Sequence, residues 1–338
     1  MMNYAEIRAH LRLPLYEVLQ PSVILTMKNS IYVLQNYEFI RISGVDRISF
    51  LQGQLSCNTE LLCSGRSLTG ALCNLKGRVI ADFRLVEHNE DIIMQCAAGM
   101  ADKIHATLSK YAVFSKVELS QLQSKDNSAP VALGIIGRGM VEALSILGLD
   151  LPESSDGVSS SATSKVVRVS GLTERIEIWM HTKAAAEQLL ASLEEDKSDD
   201  LEPWLKADIE AGIVHVTPNL SEEFTPQLLN YDLSGLIDFK KGCYTGQEIV
   251  ARMFYRGTAK RRLQLASSSH SISESSKVVA RASEDSGEDI LAFSNTGGTD
   301  HLLLAVLPLP VAGSGKRITL SDNTESDVCI RALPYMTG

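Results

Sequence analysis

Hydrophobic and polar positions change their period several times along this chain, and each change marks an element. In residues 31–43, IYVLQNYEFIRIS, two short apolar runs flank the polar pair Gln35-Asn36, which predicts two strands around a turn. Phe50, Leu51, Leu55 and Leu61 then fall near helical spacing, with Asp46 as a candidate N-cap, so a helix is expected within 44–62. Alternation returns from Gly70 to Glu87, broken by a tight turn at Lys76-Gly77, and another strand is read at 91–96. Ala97 to Lys110 reads as a helix. This order predicts an α+β layer, with helices on one face of an antiparallel sheet.

The polar stretch from Gln121 to Pro130 marks a first boundary. Beyond it the pattern repeats: a buried strand VALGIIG, a helix from Met140 to Leu147, strands at 165–169 and 175–180, and a helix from Lys183 to Leu193. Two passes in one order suggest a duplication, although no sequence repeat is visible. The Ser-rich segment 153–165 is expected to be an exposed loop, and 194–202 an acidic, solvated surface. Trp204 to Gly212 reads as a helix ending at a glycine. After Lys260, short strand-like runs alternate with Ser/Gly/Asp loops, the pattern of a small β-barrel or sandwich, and 267–276 reads as a flexible Ser-rich loop. The expected domains are 1–120, an α+β module completed by part of 213–258; 121–212, a second such module; and 259–338, a β-barrel.

Composition narrows the function classes. A chain of 338 residues with 44% hydrophobic content can bury more than one core. A net charge of −9 argues against a general nucleic-acid binder and against DNA as a partner. Residues 1–13 carry Glu6, Arg8, His10 and Arg12 and do not resemble a signal peptide, and no apolar run approaches the ~20 residues of a membrane helix. A soluble, cytoplasmic protein without membrane partners is expected. The six cysteines are scattered, without a C-x-x-C pair, which disfavours a disulfide framework or a zinc finger. GIIGRG at 134–139 lacks the glycine order of a dinucleotide fingerprint.

Candidate chemistry concentrates in residues 240–262, KKGCYTGQEIVARMFYRGTAKRR. Thr245 and Glu248 have capping-box spacing, which predicts a helix starting just after Thr245. Gly246 permits close backbone approach to a neighbour or ligand. Cys243 then precedes a helix N-terminus and follows Lys240 and Lys241, a setting that favours a thiolate. The alternative is a structural cysteine. Seven basic residues and one acid give this segment a charge of +6, suited to an anionic partner such as a carboxylate-rich tail, a phosphate or RNA; the alternative is a solvated helix face.

KGCYTGQEIVAR resembles the signature of the YgfZ family, a branch of the glycine-cleavage T-protein (aminomethyltransferase) superfamily. SGVDRISFLQGQ at 43–54, CNLKGRVIADFRL at 73–85, KYAVFSKVEL at 110–119, IEAGIVHV at 209–216, FTPQLLNYDLSGLIDFKKGCYTGQE at 224–248 and LPY at 333–335 are similar to the same family, in the expected order over almost the whole chain.

The resemblance implies a ring of two α+β (ferredoxin-like) modules and a C-terminal β-barrel around a folate-sized hole. It implies binding of tetrahydrofolate or a derivative, and a supporting role in iron–sulfur cluster assembly or repair, acting with assembly or client proteins and linked indirectly to tRNA thiomethylation. The alternative is a folate-dependent one-carbon transferase with another acceptor; pure RNA binding is a third reading. Trp204 matches one folate-associated aromatic position, and Tyr37 stands where relatives carry Trp. Gln227 and Asn230 match a PQ-x-x-N element suited to a pterin edge. Tyr244, Gln247 and Arg252 accompany Cys243 in the signature. Structural alternatives stay open: a core aromatic for Trp204, and turn chemistry around Pro226 for Gln227 and Asn230. The T-protein's acidic pair corresponds here to Ala81-Asp82, so one carboxylate is missing, and Asp82 either orients a folate nitrogen or sits on a strand surface. That departure, with the added Cys243, argues against a glycine-cleavage enzyme and leaves open whether the protein is an enzyme at all. A single cysteine cannot hold a cluster that takes four thiolates, so a partner or a second copy is implied.

Overall fold

Strands β1 (Ser30–Val33) and β2 (Tyr37–Ser43) form where the apolar runs predict them, but they enter different sheets rather than one hairpin. The computed structural model describes residues 30–63, 65–123, 129–193, 197–198, 200–257, 259–280, 287–295, 300–309 and 318–335. The expectations for 1–13, for half of the 121–130 boundary and for part of the acidic segment 194–202 lie outside those residues.

The first module contains α1 (Arg47–Gln52), β3 (Leu68–Cys73), β4 (Val79–His88), β5 (Asp91–Ala97), α2 (Ala101–Ala112) and β6 (Glu118–Leu122). Its sheet has the order β3-β4-β5-β2-β6, all antiparallel. The helix expected within 44–62 is shorter than its apolar spacing suggests. It ends at Gly53, and a 3-10 turn follows at Thr59–Leu61. Asp46 stands at the N-cap position, yet its side chain accepts the Lys116 N–H across the module.

The second module contains β7 (Val131–Ile136), α3 (Arg138–Ile146), β8 (Val158–Ser160), β9 (Ser164–Arg168), β10 (Arg175–Met180), α4 (Lys183–Ser192) and β11 (Lys197–Ser198). Its order, β8-β9-β10-β7-β1-β11, repeats that of the first sheet, with β1 taking the place that β6 holds there. The duplication read from the sequence is therefore visible as topology, with one strand borrowed from the start of the chain. The expected Ser-rich loop 153–165 is in part a hairpin: β8 pairs with β9, and Val158, Ser164 and Lys165 are buried.

Strand alternation decides what packs where. In β4, Ala81, Phe83 and Leu85 face α1 and α2, with Phe50, Ile104 and Leu108. In β10, Ile176, Ile178 and Met180 face α3 and α4. The opposite faces meet each other: Phe39, Val86 and Ile93 of the first sheet share a core with Val167 and Trp179 of the second. The two sheets are thus sandwiched between outer helices.

Helices α5 (Glu202–Glu210) and α6 (Gln247–Arg256) flank a long segment that connects the modules to the C-terminal strands. Those strands are β12 (Arg261–Ser268), β13 (Lys277–Ala280), β14 (Glu288–Ser294), β15 (His301–Pro308), β16 (Ile318–Leu320) and β17 (Val328–Arg331), in the order β16-β13-β14-β15-β12-β17. Contact between β16 and β17 nearly closes them into a barrel. Ser267 and Ser268 belong to β12, and Ser273 and Ser276 are bonded to Asp322, so 267–276 is held more firmly than a flexible loop. No helix among the described residues is long and apolar enough to cross a membrane.

Candidate functional site

Further along the two inner sheet faces, polar side chains replace apolar ones. On β4 the inward positions before Val86 are Asp82 and Arg84. On β5 Gln95 continues the inward row of Ile93, and on β10 Glu177 precedes Trp179 in its row. These groups border a cavity of about 360 Å³ that is also lined by Tyr37, Asp208, His215, Tyr231 and Tyr335. The volume lies within the usual range of small-molecule sites, roughly 300–1,000 Å³.

His215 is the centre of the network. Its Nδ1 lies 2.9 Å from Asp82 Oδ2, and its Nε2 lies 3.1 Å from the Tyr37 hydroxyl and 3.6 Å from Asp208 Oδ2. Burial alone would lower the imidazole pKa; the carboxylates of Asp82 and Asp208 overcome that and raise it to about 10. His215 is therefore an imidazolium at neutral pH, with both N–H groups donating. Asp82 also accepts the Val216 N–H at 2.6 Å, so both its oxygens are occupied from within the chain. Asp208 accepts from Arg175 at 2.7 Å, and this guanidinium holds the carboxyl below its ordinary pKa against the opposing effect of burial.

Among the described residues, two carboxylate oxygens on the cavity wall accept no hydrogen bond. Asp208 Oδ2 is buried without a hydrogen bond among the described residues, with the His215 imidazolium 3.6 Å away. Glu177 receives Gln95 at 2.8 Å and the Trp179 indole N–H at 2.9 Å on Oε2, leaving Oε1 without a hydrogen bond among the described residues. Arg84 completes the wall, bonded to Ser67 and to Asp156 across the two sheets at 2.6 and 2.7 Å. A buried acceptor without a donor is costly, on the order of 1–3 kcal/mol, and favours a ligand that supplies N–H or O–H groups.

The structure brings together only some of the residues read from the sequence. Tyr37 and Asp82 line the cavity. Trp204 is fully buried; its ring packs where a Cβ on Gly134 would sit, and Arg175 covers it at 5.1 Å, so it stands behind the wall. Gln227 donates to the Val250 carbonyl and Asn230 to the Leu263 carbonyl, tying α6 and β12 to the turn at Pro226–Tyr231, and neither lines the cavity.

Tyr244, Gln247, Arg252 and Cys243 also lie outside the cavity lining. Cys243 is exposed. The expected capping box does not form: Gly246 is the N-cap of α6 at φ +82°, and Thr245 donates to Gln54 instead. A Cβ on Gly246 would lie 2.4 Å from the Asn74 carbonyl, so its close approach is to the Asn74–Gly77 turn. Gln247 accepts the Tyr244 N–H, and the Lys241 ammonium is buried on the carbonyls of Gln52, Leu55 and Cys57. Sequence reading missed Glu177, Asp208, His215, Arg84 and Arg175. The available signal was charge at the middle of otherwise apolar strands, as in VIADFRLV and RIEIWM.

No family model matches the chain. It is 34% identical over 237 residues to the tRNA-modifying protein YgfZ of Photorhabdus laumondii, covering 70% of each chain. It is 30% identical over 328 residues to the tRNA-modifying protein YgfZ of Serratia proteamaculans, covering 94% of this chain and 95% of that one. The fold is similar to the glycine cleavage system aminomethyltransferase T of Bartonella henselae, with a TM-score of 0.71, 16% identity, and coverage of 91% and 86%. The chain belongs to the YgfZ family.

Proposed function

We propose that this YgfZ-family chain supports tRNA modification, and that the cavity between its two sheets binds a tetrahydrofolate. The tRNA context comes from the relatives' shared description. The observation that carries folate binding is the pair of carboxylate oxygens without a hydrogen bond among the described residues, Asp208 Oδ2 and Glu177 Oε1, on a wall that also carries Tyr37. A pterin offers several N–H donors on one edge of a flat ring, which fits carboxylate acceptors beside an aromatic. In this reading Glu177 and Asp208 hold the ring edge, Tyr37 packs on the ring, and imidazolium His215 keeps Asp82 and Asp208 from accumulating uncompensated negative charge. When bound, the folate would supply one-carbon chemistry.

Cys243 is assigned to the second half of this function, support of iron–sulfur enzymes, as an exposed thiol acting on a partner protein. It works outside the folate cavity, so the two activities are separable by mutation.

The test is an anaerobic titration with tetrahydrofolate. Glu177→Gln and Asp208→Asn should each weaken binding roughly 10-fold or more, the scale of a hydrogen bond to a charged group. No binding by the wild type, or unchanged binding by both variants, refutes the site.

A further inference from the structure

Of the seven basic residues in the 240–262 segment, three are engaged within the chain. Lys241 is buried on carbonyls, Arg261 pairs with Glu288, and Arg262 forms a two-pronged pair with Asp232. Lys240, Arg252, Arg256 and Lys260 are exposed, and no carboxylate among the described residues lies within ion-pair distance of them. Arg252 and Arg256 are one turn apart on α6, so they share its solvent face with Tyr255 and the single acid Glu248.

Aromatic rings accompany these cations. Phe239 and Phe254 stack at 3.8 Å with an interplanar angle of 17°, and Tyr255 meets both rings edge-on. Phe254 is 42% exposed and Tyr255 68% exposed, so the cluster presents ring surface to solvent. Phe239 is followed directly by Lys240, so the ring cluster is continuous with the charge.

We infer that the α6 face of Lys240, Arg252, Tyr255 and Arg256, with the Phe239–Phe254 stack beside it, is a docking surface for single-stranded RNA. Cations spaced along a helix meet phosphates, and exposed rings stack on unpaired bases. An acidic peptide would match the charge but leave the rings unused, and a duplex hides its base faces. The choice of RNA over DNA rests on the tRNA-modification reading above. The surface lies outside the folate cavity lining.

The experiment uses the full chain and a fluorescein-labelled, unstructured RNA of about 15 nucleotides, near the upper site size of single-strand binders. DNA of the same sequence, the RNA duplex and polyglutamate serve as competitors. The wild type should bind the single-stranded RNA most tightly. Arg252→Gln with Arg256→Gln should reduce the slope of log affinity against log salt by about 1.4, the loss of two phosphate contacts. Tyr255→Ala should weaken binding roughly 5- to 100-fold, the effect of one lost stack. Absent binding, unchanged binding by both variants, or equal competition by DNA, duplex or polyglutamate overturns the inference; the polyglutamate result would point to an acidic protein partner. Both variants should still bind tetrahydrofolate like the wild type, so failure here is distinguishable from failure of the folate reading.

Discussion

His215 Nδ1 stands 2.9 Å from Asp82 Oδ2, which joins the segment after α5 to the middle of β4 through a charged hydrogen bond. The bond gives Asp82 a partner far along the chain. It also makes His215, with 28% of its side-chain surface exposed against 10% for Asp82, the more open member of the pair.

The pair should set a pH dependence of stability. The folded pKa of His215 is raised to about 10 from an ordinary 6.5. Its contribution is fully present below pH ~6.5 and is lost as pH rises through the folded value. His215→Gln should be destabilised by roughly 3 kcal/mol at about pH 6, because Asp82 and Asp208 lose a charged partner. The gap to the wild type should narrow as pH rises toward the folded pKa of about 10. Chemical denaturation across that range checks it; a constant gap would mean that His215 acts through packing alone.

Trp204 should matter for stability before it matters for binding. It is completely buried and packs against Gly134 of β7. Trp204→Ala should cost about 3–5 kcal/mol, as other large aromatic truncations do. A Cβ at position 134 would lie 2.7 Å from the Trp204 ring, so Gly134→Ala should cost about 1–3 kcal/mol by overpacking. Thermal and urea unfolding measure both; a neutral Gly134→Ala would show that the ring can shift aside.

Cysteine reactivity should divide the six thiols evenly. Cys63, Cys243 and Cys329 are exposed, whereas Cys57, Cys73 and Cys96 are buried. Burial pushes the Cys57 and Cys73 thiols up to about 12. Brief alkylation of the native protein should label the three exposed sites and of the unfolded protein all six, read by peptide mass spectrometry. Cys243→Ser should leave folding and tetrahydrofolate binding unchanged but abolish rescue of cluster-dependent tRNA thiomethylation in a strain lacking the protein. Full rescue would remove Cys243 from the function.

Lys241 should behave as a structural residue. Its ammonium donates to the Gln52, Leu55 and Cys57 carbonyls, and it lies 5.2 Å from the Tyr244 ring centroid. Lys241→Met keeps the stem but leaves those carbonyls without their donor, at a cost of roughly 2–4 kcal/mol. Unfolding at neutral pH tests this; an unchanged midpoint would mean that water replaces the ammonium.

By itself the sequence determined most of the element types, the repeated order of the two modules, the β-rich C-terminal unit and the family, because those depend on local period, turn residues and spacing along the chain. The helical and strand periods were legible even where element ends were not, as with α1. Tertiary structure alone decided which strand pairs with which: β1 looks like half of a hairpin but crosses to the second sheet. It also decided the site. In β4 and β10 the charged residues alternate with apolar ones, which in a one-sided sheet would put them in water. Here a second sheet covers that face, and the same Asp82, Arg84 and Glu177 become a buried wall. Local alternation specifies that a side chain lies opposite its neighbours. Whether that opposite side is solvent or another sheet depends on contacts between residues as distant as Asp82 and His215, which no local pattern encodes.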